Sequence, residues 1–278
     1  MIVYKQYDQS ALDRQYNNRL QTPGYGIHLD NYEVESRKTE KEYSSKKDIA
    51  YGTHSRELLD IYPSDKPNSK TLVFIHGGYW RALDKSSFQF VAGAFHSYSV
   101  TTVLITYPLA PTETMEQIVA SCHRALDWVY DNIGKYNGDP DQVYVAGHSA
   151  GGHVAAMLLV SGSHNKKIKG ICTLSALFNL IPIKLSELNY TLKMDESTAL
   201  KNSPVRFLPE YKVPLLLAVG TEETDEFKAQ SQELYDYWKN SVPIQLMEIE
   251  GANHYSIIEN FADKKAQLHI LIRAMMES

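Results

Sequence analysis

Long apolar runs are missing from this chain: nowhere do 18 consecutive apolar residues occur, so no segment reads as a membrane span. Basic clusters are missing too. Lys and Arg number 28 against 33 Asp and Glu, a formal charge of −5, and the pairs Lys46-Lys47 and Lys166-Lys167 read as solvated loop charges. The electrostatic attraction that a nucleic-acid binder needs is therefore absent. Only two cysteines occur, Cys122 and Cys172, both in apolar surroundings, so they are expected in the core of a protein from a reducing cytoplasm rather than in a disulfide framework. No repeat or low-complexity tract is present. Lys5 and Asp8 interrupt what would be the apolar heart of a signal peptide, so that route of secretion is not expected and a cytoplasmic location is. What remains is ordinary globular composition, 43% hydrophobic and 22% charged over 278 residues, and the expectation is one domain over residues 1–278.

Within it, short β-type runs alternate with helical ones. The expected strands are LLDIYP (58–63), TLVFIHG (71–77), TTVLITY (101–107), QVYVAG (142–147), IKGICTL (168–174), PLLLAVG (214–220) and IQLMEIE (244–250). Several are apolar on both faces, which requires a sheet covered on both sides. Met115, Ile118, Val119, Cys122, Ala125, Leu126, Val129 and Ile133 recur at helical spacing and predict a helix packed on that sheet. Further helices are expected at Phe88–Tyr98, Ala150–Val160, Asp225–Lys239 and Asp263–Met276. The pattern predicts an α/β fold, a doubly wound and mostly parallel sheet with helices on both faces. Two regions break it. Residues 175–212 carry Pro182, Pro204 and Pro209 with no strand pattern and are expected to form a small cap or lid insertion; residues 1–45 are expected as an N-terminal arm, with a polar helix from Ser10 to Arg19 and a turn at Pro23-Gly24.

After QVYVAG comes GHSAGGH, residues 147–153, which is G-x-S-x-G with a strand before it and a helix after it. In that setting a sharp turn lifts the Ser149 hydroxyl above the sheet, and the glycines let strand and helix pass closely, as in the α/β-hydrolase elbow. A serine hydroxyl is a weak nucleophile near neutral pH and needs a base that is itself oriented by an acid. In α/β-hydrolases the acid and then the histidine follow the serine along the chain. The loop after PLLLAVG offers Glu222, Glu223 and Asp225, and the loop after IQLMEIE offers His254. His254 alone would be an ordinary loop histidine; its position two loops beyond the elbow points to the base. His148 reads as elbow packing, His153 lies one turn along the helix, and His28, His54, His96, His123, His164 and His269 read as surface or core groups. No metal site is expected, because His148 and His153 have no acidic or thiol companions nearby in sequence.

The segment FIHGGYW, residues 74–80, ends a strand with two glycines and two large aromatics. Acyl transfer builds negative charge on a carbonyl oxygen, and preorganised backbone N–H groups are its strongest single aid, each worth about 3 kcal/mol. The Gly77-Gly78-Tyr79 step is expected to supply such amides, with Gly78 and Tyr79 as the donors, complemented by the N–H of Ala150. His76 is expected to brace the loop.

These motifs resemble a known family. HGG with YPLAP (Tyr107 to Pro111) and GHSAGG is similar to the esterase/lipase group of α/β-hydrolases; HGGYW, EETDEFKAQS (Glu222 to Ser231) and LDRQYNNRLQTP (Leu12 to Pro23) resemble kynurenine formamidases, also called arylformamidases. The resemblance spans residues 8 to 275. It implies hydrolysis of N-formylkynurenine to kynurenine and formate without metal or organic cofactor, with Ser149 as nucleophile, Glu223 as acid, His254 as base and the oxyanion loop at Gly77–Tyr79. The acid is glutamate where some relatives carry aspartate. The small-molecule substrate is expected to lie in a narrow aromatic pocket walled by Tyr79, Trp80 and Tyr255. Tyr16, Asn17, Asn18 and Arg19 of the arm either supply polar partners for its amino-acid end or only pack on the body. A homodimer is left open. A carboxylesterase of short-chain or aryl esters would use the same machinery, and a non-catalytic ligand-binding relative would be expected to lack one member of the triad.

Overall fold

Strands that are apolar on both faces need helices above and below, and the computed structural model, which describes residues 1–160 and 168–277, provides them. His164 and Lys166-Lys167 lie outside the described residues. A hairpin of β1 (Ile2–Tyr4) and β2 (Tyr7–Asp8) precedes α1 (Gln9–Tyr16), α2 (Asn18–Gln21) and α3 (Tyr25–Glu42). Then follow β3 (Lys46–Ala50), β4 (Leu58–Tyr62), β5 (Ser69–Ile75), α4 (Gln89–His96), β6 (Thr101–Thr106), α5 (Met115–Asn132), β7 (Gly138–His148), α6 (Ala150–Val160) and β8 (Ile168–Leu174). Three short helices, α7 (Ile181–Leu185), α8 (Asn189–Leu192) and α9 (Glu196–Lys201), lead to β9 (Leu215–Gly220), α10 (Asp225–Trp238), β10 (Ile244–Ile249), α11 (Ser256–Ala262) and α12 (Gln267–Glu277).

β3 to β10 form one eight-stranded sheet in the order β10-β9-β8-β7-β5-β6-β4-β3. Every neighbouring pair from β10 to β6 is parallel, and only the β6–β4 and β4–β3 pairs are antiparallel. One apolar cluster, with α5, α6 and α10, covers one face; a second, with α3, α4, α11 and α12, covers the other. This is the α/β-hydrolase architecture. Thr114 starts α5 with a capping box shared with Gln117, and Met115, Ile118, Val119, Cys122, Ala125, Leu126 and Val129 are all buried along its inner stripe.

The arm is more ordered than its sequence suggests. The Ser10–Arg19 segment is two helices, because the Asn17 side chain accepts from Leu20 N–H and starts a second one. Lys46 and Lys47 belong to the edge strand β3, not to a loop, and Lys47 pairs with Glu40 of α3. The helix expected over 263–276 is displaced: Asp263 is extended, its Oδ1 accepts from Lys265 N–H at 2.9 Å, and α11 and α12 lie on either side of that break. Among the described residues, no helix is long and apolar enough to cross a membrane.

Parallel pairing sends the carboxyl ends of β5, β7, β8, β9 and β10 to one edge. Loops at that edge are where ligands of open α/β sheets bind.

Candidate active site

Ser149 sits between the last residue of β7 and the first of α6 with φ +55°, a left-handed conformation that costs a serine energy unless its surroundings hold it. They do. Its N–H donates to Leu174 O at 2.8 Å, and its carbonyl accepts from His153 N–H at 3.0 Å. A Cβ on Gly147 would meet Gly151 O at 2.3 Å, and one on Gly151 would meet Ile75 O at 2.0 Å, so only glycine lets the strand and helix pass this closely. Ala150 opens α6, where the first N–H groups have no intrahelical partner.

β5 runs into the glycine loop beside this turn. A Cβ on Gly77 would lie 2.8 Å from His148 Nδ1, and Gly78, Tyr79 and Trp80 all have positive φ, at +108°, +49° and +54°. Three successive residues at positive φ curl the chain tightly, and Arg81 N–H donates to Gly78 O at 3.0 Å across the curl. The curl is braced from below: the His76 ring stacks on Tyr107 with centroids 4.3 Å apart, His76 Nδ1 donates to Gly77 O at 2.7 Å, and Tyr107 hydroxyl donates to His76 O at 2.9 Å. Burial pushes the His76 ring down to about 4 against the raising effect of the bond to Gly77, so it is neutral near pH 7. From above, Tyr79 hydroxyl donates to Tyr16 O at 2.7 Å and accepts from Asn18 Nδ2 at 3.3 Å; burial holds that phenol well above its usual range.

Three acids follow β9, and they differ sharply in placement. Glu222 and Asp225 are exposed, the latter opening α10 beside Lys228. Glu223 is buried, and its Oε2 accepts from His254 Nδ1 at 2.8 Å. Its Oε1 accepts from Ser175 Oγ, and from Gly220 N–H at 3.4 Å. His254 is fixed in turn by Asn253, whose Oδ1 accepts from the N–H groups of Tyr255 and Ser256 at 2.9 Å, and by His148, whose Nε2 donates to His254 O at 2.8 Å. Burial, and secondarily the neighbouring His254, hold His148 well below the usual histidine range. His148 thus ties the backbone of one loop to the serine turn, more than simple packing.

Ser149 and His254 line one cavity of about 350 Å³ with Gly78, Tyr79, Tyr255 and all four arm residues Tyr16, Asn17, Asn18 and Arg19. Arg81, Ala82, Leu83, Leu29, His148, Glu187 and Leu188 complete its wall. Trp80 does not belong there and corrects the sequence expectation: it is fully buried in the core cluster, edge-on to His153 at 5.0 Å and to Tyr79 at 6.3 Å. A larger hollow, about 730 Å³ between α3, α4 and α11, contains neither Ser149 nor His254, so chemistry rather than size selects the smaller cavity. Among the described residues, no group of three or more His, Cys, Asp or Glu side chains is placed to hold a metal ion.

Ser175, Arg81 and Glu187 carry no signal of their own in the sequence. The position of Ser175 as the first residue after β8, at the same sheet edge as the others, is the one hint available in advance; its φ of +50° is visible only in the structure. Ser175 holds the carboxylate that holds the histidine.

The family model BD-FAE matches residues 59–238. A kynurenine formamidase of Danio rerio is 32% identical over 82% of this chain and 81% of its own length. Among solved structures, a Silicibacter protein provisionally named a thioesterase superposes with a TM-score of 0.86 at 25% identity, covering 94% of this chain and 98% of that one. An esterase of the archaeon Pyrobaculum calidifontis superposes with a TM-score of 0.70 at 16% identity over 91% of this chain and 90% of that one, a likeness of fold.

Proposed function

From the premise that this chain belongs to the kynurenine formamidase family of α/β-hydrolases, we propose that it is a serine hydrolase cleaving N-formyl-L-kynurenine to L-kynurenine and formate through Ser149, His254 and Glu223. That it is a hydrolase acting on formamide or ester substrates follows from the family; the substrate and the triad are our reading. The observation that carries it is the buried Glu223–His254 contact of 2.8 Å opening onto the same cavity as a serine held at positive φ.

In this reading His254 Nε2 takes the Ser149 proton while Glu223 keeps the other ring nitrogen protonated and stabilises the imidazolium that forms. Ser149 Oγ attacks the formyl carbon. The carbonyl oxygen becomes an oxyanion held by N–H groups of the Gly77–Tyr79 curl and of Ala150. Collapse breaks the C–N bond, with the His254 proton passing to the departing aniline nitrogen, which is a poor leaving group without it. Water, deprotonated by His254, then attacks the formyl-serine and releases formate. Residues 1–45 and 175–212 act as arm and cap around the cavity of a single domain spanning 1–278, and no cofactor is required.

The test compares kcat/KM for N-formylkynurenine with that for 4-nitrophenyl acetate, and adds Ser149→Ala. Formylkynurenine is expected to be the better substrate, with S149A near background and no longer labelled by a fluorophosphonate. Preference for the ester with formylkynurenine untouched makes the protein a carboxylesterase, and full labelling of S149A removes Ser149 from the reaction.

A further inference from the structure

The rim of the reaction cavity carries two guanidinium groups, Arg19 and Arg81, and one carboxylate, Glu187. Ion pairs elsewhere include Arg124–Glu57, Lys5–Glu226 and Arg273–Glu277. Among the described residues, none of the three rim groups has a partner of opposite charge; all three are exposed, and the two guanidinium groups have neighbours that place them. Arg81 Nη1 donates to Thr191 Oγ1 at 3.1 Å, and Arg81 N–H donates to Gly78 O at 3.0 Å inside the glycine curl. The Arg19 guanidinium lies 5.5 Å from the centre of the Tyr25 ring, which itself stacks on Tyr255. Glu187 N–H donates to Asp13 Oδ1 at 2.7 Å, which ties the backbone of that residue to the arm and leaves its carboxylate free to face the cavity.

Two cations and one anion give the rim a charge of 2 − 1 = +1 in a chain whose formal charge is −5. The same cavity is also lined by the apolar and aromatic side chains of Leu29, Leu188, Tyr79 and Tyr255. The matching ligand therefore has a flat apolar body, the scissile carbonyl at one end and a zwitterion at the other. Guanidinium forks suit carboxylates because two parallel N–H groups meet two oxygens.

We propose that Arg81 and Arg19 receive the carboxylate, and Glu187 the ammonium, of an amino-acid end carried on the aryl leaving group, so that this rim selects zwitterionic aryl substrates. The inference rests on the formamidase reading above and deepens it. Arg81 follows the oxyanion curl directly, so a leaving group anchored there is anchored to the element that holds the carbonyl oxygen. Arg19 brings the arm into substrate selection.

The experiment measures kcat and KM for the parent, Arg81→Met, Arg19→Met and Glu187→Gln on N-formylkynurenine, on its decarboxylated amine N-formylkynuramine and on formanilide. Loss of a charged hydrogen-bond partner is expected to lower kcat/KM of R81M on formylkynurenine about ten- to hundredfold, mostly through KM, with R19M following in the same direction. On the two substrates without a carboxylate, both variants should stay within about two- to threefold of the parent. E187Q should weaken the two amine-bearing substrates and spare formanilide. Equal losses on all three substrates would mean a structural role and overturn the proposal, as would an R81M variant that handles formylkynurenine like the parent. If the parent ignores formylkynurenine, the formamidase reading falls by itself, and O-acetyltyrosine, O-acetyltyramine and phenyl acetate then put the same question to an esterase. A tyrosine preference that vanishes in R81M keeps the zwitterion subsite; no preference in the parent rejects it.

Discussion

Glu223 presents its two oxygens to different partners, Oε2 to His254 and Oε1 to Ser175, while Glu222 and Asp225 face solvent. Substituting Glu223→Gln keeps the shape but removes the charge that orients and stabilises the imidazolium, so kcat should fall on the order of 10³- to 10⁴-fold. Glu222→Gln and Asp225→Asn should change it less than about threefold, because exposed charges couple weakly; the reverse ranking in steady-state kinetics would move the role to a neighbour. The buried histidines set a different prediction. His76 and His153 are each pushed down to about 4 by burial, from an unfolded value near 6.5. Above pH 6.5 both states carry them neutral, and the native state loses nothing. Below it the unfolded chain takes up protons that the folded one refuses, so stability falls with pH between about 6.5 and 4, by about 1.4 kcal/mol per pH unit for each such histidine. His153 Nε2 donates to Asn202 O at 2.7 Å, a bond the amide of His153→Gln can keep. Urea unfolding at pH 7, 6 and 5 should therefore show a shallower acid loss for H153Q; an unchanged slope would refute the neutral buried ring.

At the scale of elements, the N-terminal arm is tied both to the loop that carries Glu223 and to the glycine curl. Gln15 Oε1 accepts from Glu226 N–H at 3.1 Å and Gln15 O accepts from Thr224 Oγ1 at 2.8 Å, pinning the start of α10 directly after Glu223. Buried Glu226 accepts from Lys5 Nζ at 3.1 Å and from Tyr16 hydroxyl at 3.3 Å, and Tyr16 O accepts from Tyr79. Tyr79→Phe cuts the arm-to-curl link alone, at about 0.5–1.5 kcal/mol. Its kcat should fall by up to about tenfold while amide exchange in α1 and α2 accelerates; unchanged exchange and turnover would show that the arm only packs. Sequence periodicity was a fair guide where an element buries an apolar stripe, as α5 does, and failed where it does not. α3 runs eighteen residues yet buries only Tyr32, Ser36 and Thr39, two of them polar, so its helix leaves no apolar signature. β3 is an edge strand of sequence KKDIA with four of five residues exposed, and nothing in it looks like a strand. α11 is only seven residues long and is separated from β10 by six residues, preceded by a turn in which Asn253 Oδ1 accepts from Tyr255 and Ser256 N–H, too short a segment for its period to show.

Over the whole molecule, arm, glycine curl, serine turn and histidine loop close a cavity of about 350 Å³, near the lower end of the usual range for small-ligand sites. A formyl carbonyl bears only hydrogen and fits such a site with least displacement, whereas each added methylene costs about 1–3 kcal/mol in a tight pocket. On one aryl leaving group, kcat/KM should therefore fall steadily from formyl to acetyl to butyryl; a maximum at butyryl would mean that the acyl side is roomy and the substrate class different. The sequence by itself determined the alternation of strand and helix, the serine turn with its glycines, the order of serine, acid and histidine, and the glycine curl after β5. Each of these is a local pattern, fixed by side-chain period, by positive φ or by position at a strand end. Only the tertiary structure decided which of three acids meets His254, that Ser175 anchors that acid, that Trp80 turns into the core, and that Tyr16 to Arg19 line the cavity. Those outcomes depend on contacts between residues far apart in the chain, 31 positions for Glu223 and His254, 48 for Ser175 and Glu223, 221 for Lys5 and Glu226, and no local pattern carries the geometry that closes them.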